Sequence, residues 1–172
     1  RKMLEEKQVY TTEDFKRMIT DQTSEYAALL TPFIISAVGN AGDLSETEKA
    51  AYDALNRWNY EMNKELAAPT IFEFCRLILP RIILGDELGE LYNSIGGTPK
   101  DYYIYRILKE GPDEWVDDVT TEKKETLDEI IFKSFRQSVA EITGRRGTDT
   151  TQWKWGDIHP LQLMHPMGSV KI

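Results

Sequence analysis

The chain has 172 residues, 41% of them hydrophobic and 29% charged, an ordinary globular composition with length enough for one domain and a real core. Lys plus Arg number 21 against 29 Asp plus Glu, a net charge of -8. A phosphate backbone or an anionic bilayer surface repels such a chain unless its basic residues cluster, and they do not, so neither nucleic acid nor membrane is an expected partner.

"RKMLEEK" predicts a helical start, and because the text opens on Arg1 inside that pattern it reads as an excised piece or a processed chain. "TTEDFKRMIT" (11–20) offers a Thr N-cap followed by acidic first-turn residues. From Ser24 to Val38, Leu29, Leu30, Phe33, Ile34, Ala37 and Val38 recur at helical spacing, with Pro32 a kink or break. "GNAGD" (39–43) is a turn. "SETEKAAYDALNRWNYEM" then opens on a capping box, Ser45 facing Glu48, and carries an inner stripe of Ala51, Leu55, Trp58 and Met62.

The next helix, from about Pro69 to Leu84, is apolar nearly all round and therefore central. Pro69 suits a first turn, whereas Pro80 lies inside and should bend or split the helix. "DELGELYNSI" is a short amphipathic piece. "TPKDYYIYRILKE" (98–110) has Thr98 as cap, Pro99 at the first helical position and Asp101 at the capping-box position, and Gly111 with Pro112 ends it. The longest helix is expected from Glu122 to Thr143, closed by Gly144, with Leu127, Ile131, Ser134, Phe135, Ser138 and Ile142 inside. Nothing alternates with period two for long enough to make a sheet, and no fixed-period repeat or linker appears. The expected fold is mainly α, an irregular bundle of about six to eight helices forming one domain over 1–172. Residues 145–172 are expected as an irregular tail packed on it, an ordered loop segment because its Trp and His rings are costly to leave in water.

Candidate chemistry is thin. Cys75, the one cysteine, permits no internal disulfide and no cysteine-built zinc site, and its apolar helix predicts a buried, inert thiol. His159 and His165 lie six apart across a proline with Asp157 nearby, whereas helical metal pairs fall at i and i+4, so packed and hydrogen-bonded rings fit better than metal ligands. No serine sits in a G-x-S-x-G elbow, and "SIGGTPK" (94–100) lacks the Gly-Lys-Ser/Thr ending of a phosphate loop. Arg145 and Arg146 could pair with an anion but more often such a pair solvates a turn. Tyr102, Tyr103 and Tyr105 could line a groove, although at helical spacing they read as core plus rim. On composition and spacing alone, no residue takes a catalytic, cofactor-binding or metal-ligating role.

The tail nevertheless carries a signature. "WKWGDIHPLQLMHPMG", with Trp153, Trp155, Gly156, His159, His165, Pro166 and Gly168, resembles the "tWG-x-x-H…HPlG" passage in the large chain of the penicillin amidase (penicillin acylase) family. "LSETEKAAYDALNRWNYEM" (44–62), "AAPTIFEFCRLIL…DEL" (67–88) and the opening "KMLEEKQVYTTEDFKRMITDQTS" are similar to three further blocks of that family, in the family's order. The resemblance implies amide hydrolysis by an N-terminal serine whose α-amine is the general base, an oxyanion hole using an Asn, a catalytic α/β/β/α core, calcium in a structural site and an exported, periplasmic location. Little of this transfers residue by residue. Residue 1 is Arg1, and none of Asn40, Asn59 and Asn63 stands in the oxyanion context. The resemblance thus predicts a helical, non-catalytic segment of a linear-amide hydrolase, whose partner is the remainder of the parent enzyme. It predicts no cofactor in this chain, with calcium in the parent. The alternative is a free-standing helical interaction domain whose Trp/His tail docks a partner.

Overall fold

Side chains that satisfy orphan amides decide where these helices begin. In the computed structural model, residues 2–112 and 114–161 are described. Thr11 and Asp14 form a reciprocal capping box at the start of α1 (Thr12–Ile19), and Ser45 and Glu48 form another at α3 (Glu46–Asn56). Ser24 accepts from the Ala27 amide and opens α2 (Glu25–Asn40). Then follow α4 (Ala68–Leu88), with a proline in its first turn, α5 (Gly97–Glu110), α6 (Leu127–Arg146) and the single turn α7 (Trp155–Ile158). Short 3₁₀ turns occupy Lys2–Glu5, Gly89–Ser94 and Thr150–Gln152. The fold is a mainly α bundle of seven helices with no strand among the described residues; one isolated antiparallel bridge joins Thr23 to Glu61.

The core is built around α4 and α6. α6 packs most extensively against α4 and α2, while α3, α5 and α7 also lean on α4. Ile71, Phe72, Cys75, Leu79 and Ile83 of α4 face Ile130, Ile131, Phe135 and Ile142 of α6, all of them buried. Trp58 lies against Phe72 with ring centroids 5.5 Å apart and donates its indole N–H to the Glu61 carbonyl at 2.8 Å.

Several expected boundaries move, each for a visible reason. The helix expected to be longest starts at Leu127, not Glu122, because Thr126 and Glu129 form a third capping box, and at 20 residues it is one residue shorter than the 21-residue α4. It ends at Gly147, whose φ of 81° suits a C-terminal glycine, so Gly144 is helical and Arg145 and Arg146 belong to α6 and not to the tail. Neither internal proline divides its helix. Pro32 is exposed, and Pro80 lies between the buried pairs Ile78–Leu79 and Ile83–Leu84, whose packing holds α4 together. Thr98 does not cap α5; Gly96 takes that place, and Asp101 binds Arg76 instead of an N-cap amide. Met62 lies beyond the end of α3, the opening residues make a 3₁₀ turn instead of an α-helix, and "DEL" of the piece after Leu84 continues α4.

Candidate functional site

Past Gly147 the chain is held by backbone bonds instead of by helical periodicity. Trp153 is fully buried, and its indole N–H donates to the Gly147 carbonyl at 3.0 Å, tying the tail to the end of α6. The amides of Trp155 and Gly156 donate to the carbonyls of Leu66 (3.0 Å) and Lys64 (2.9 Å) in the turn before α4. Lys154 reaches Glu65 at 2.8 Å, and Arg146 donates to the Asp157 carbonyl at 2.7 Å. These ties set α7 over α4. Trp155 is half-buried and stacked on the exposed His159, with centroids 4.7 Å apart and planes 11° from parallel.

Trp155 packs beside α4, its backbone pinned to residues 64–66, in a cleft shared with Glu141 and Arg145 of α6. One expectation is corrected. The His159 ring is exposed and not packed away, since α7 is one turn long and carries it to the rim. His165, Pro166 and Gly168 lie outside the described residues.

Beneath the Trp155–His159 stack opens a cleft of about 570 Å³. Phe74 and Ile78 form its floor, and Leu77, Ile158, Glu73 and Glu141 join them in the lining. Three arginines reach it. Arg76 is committed, bonding Glu73 at 2.8 Å and Asp101 at 2.9 Å. Arg145 lies 5.1 Å over the Phe74 ring and 3.6 Å from Glu141, and Arg81 has no ion-pair partner among the described residues. A helix expected to be apolar nearly all round does not announce this face of α4. The signal was the run Glu73, Arg76, Leu77 and Arg81, a narrow charged stripe on an otherwise buried helix.

Nucleophiles are absent from the cleft. Cys75 is wholly buried, and desolvation pushes its thiol up to about 12, so it carries no thiolate at neutral pH, as its helical context predicts. Ser134 and Ser138 are buried and donate to the carbonyls of Ile131 and Ser134 within α6. Among the described residues no hydrogen bond joins a Ser, Thr or Cys side chain to a His or Lys side chain; Thr20 and Thr121 reach only the backbone carbonyls of Lys16 and Lys123.

Calcium needs several converging oxygens, yet no three acidic or His/Cys side chains among the described residues assemble into such a set. The densest acidic group, Asp117, Asp118 and Glu125, is consumed by backbone amides, Thr121 and Lys133. The described residues therefore do not fit the ion. Among them, no helix is long and apolar enough to cross a membrane.

A family model described as penicillin amidase matches residues 1–172, the whole chain. The chain belongs to the penicillin amidase family. A comparison with curated proteins returns no match. Membership supports a penicillin amidase-like hydrolase as the setting of this bundle. Of the tail's family markers, Trp153, Trp155 and Gly156 are those with a visible structural duty, and His159 completes the stack at the cleft.

Proposed function

We propose that this chain is a helical, non-catalytic segment of a penicillin amidase-like hydrolase acting on linear amides. The catalytic N-terminal serine would lie outside these 172 residues. The family match over the whole chain supports the enzyme setting. The observation that carries the non-catalytic role is the lack of any nucleophile–base pair among the described residues, with Cys75 buried and protonated and the exposed His159 stacked on Trp155.

In the parent enzyme the bundle buttresses the catalytic α/β/β/α core, its partner, and helps shape the acyl side of the cleft. The parent's calcium is held by other segments, in keeping with the committed carboxylates here. An exported, periplasmic setting goes with the same reading. The test is the gene on either side of the Arg1 and Ile172 codons. A Ser codon after a small residue some hundreds of codons upstream, with an Asn-rich motif just before Arg1, is the expected result. A start codon adjoining Arg1 would overturn the reading and leave a free-standing interaction domain.

A further inference from the structure

We draw no further inference here: the strongest candidate, the apolar groove that Leu84, Leu88, Ile95, Tyr103 and Trp115 form between the end of α4 and the start of α5, carries none, because the one cation in its lining, Lys100, already lies over the Tyr92 ring and nothing in the structure shows what covers it.

Discussion

A Cβ built on Gly156 would sit 2.9 Å from the Cβ of Lys64 and 3.3 Å from its carbonyl oxygen, the same oxygen that accepts the Gly156 amide. Backbone cannot swing aside as a side-chain tip can, so Gly156→Ala should destabilise the chain by about 1–3 kcal/mol, read as a lower denaturant midpoint. Gly144 makes the contrast: it lies within α6 and a methyl there meets nothing within 4 Å. Gly144→Ala should be neutral or raise stability by about 0.5–1 kcal/mol, because alanine loses less freedom on entering a helix. Equal effects of the two substitutions would contradict the tie between residue 156 and residue 64. Trp153, fully buried with its N–H satisfied, should cost about 3–5 kcal/mol when cut to alanine, and half-buried Trp155 less. An unchanged melting temperature for Trp155→Ala would remove its packing role. The "WKWG" pattern was legible as a marker, but its partners Leu66 and Lys64 lie some ninety residues away, and no local spacing announces them.

At the level of the helices, capping chemistry was the most readable layer. Ser45 facing Glu48 forms the box its spacing predicts, and the Thr N-cap expected before the acids of α1 is Thr11, which forms a box with Asp14. The box at Thr126 was hidden because "VTTEKKETLDE" offers three threonines and four acids, and only the fold chooses among them. Thr126→Ala should lower stability by about 1 kcal/mol, seen in the thermal midpoint. Asp101 fits a capping box by spacing but binds Arg76, since an ion pair across two helices outweighs one amide in the first turn of α5.

The same caps govern acid stability. Lys123, then the Thr126 amide, hold Glu129 at about 2, and Lys133, then Thr120, hold Asp118 at about 2. The Lys7 ammonium likewise holds Asp14 far below the usual carboxylate range. A folded-state value below the unfolded one means these groups stabilise the fold above the ordinary carboxylate range, and that stability is lost as pH falls toward 2. Melting temperatures should therefore be flat near neutrality and drop steeply below about pH 4. Asp118→Asn should start lower at neutral pH and lose less between pH 4 and 2; an unchanged acid profile would count against the Lys133 pairing.

For the molecule as a whole, the helical class and the burial of α4 and α6 followed from periodicity, because apolar stripes must find one another. The cleft did not follow. It is assembled from residues 73–81 of α4, the end of α6 and one turn of the tail, and only tertiary packing brings them together. Family membership was legible in four short blocks, and the match over the whole chain agrees with it. Val9, Phe15 and Ile19 lie exposed on and before α1, which packs little against the other helices. The most direct measurement is turnover of a chromogenic phenylacetyl amide by the purified 172-residue chain. No release of chromophore above the buffer rate is the expected result, because the proposed catalytic serine lies outside the chain and Cys75 is buried and protonated. Catalytic release that follows the folded chain through purification, and disappears when it is unfolded, would contradict the non-catalytic role at its root.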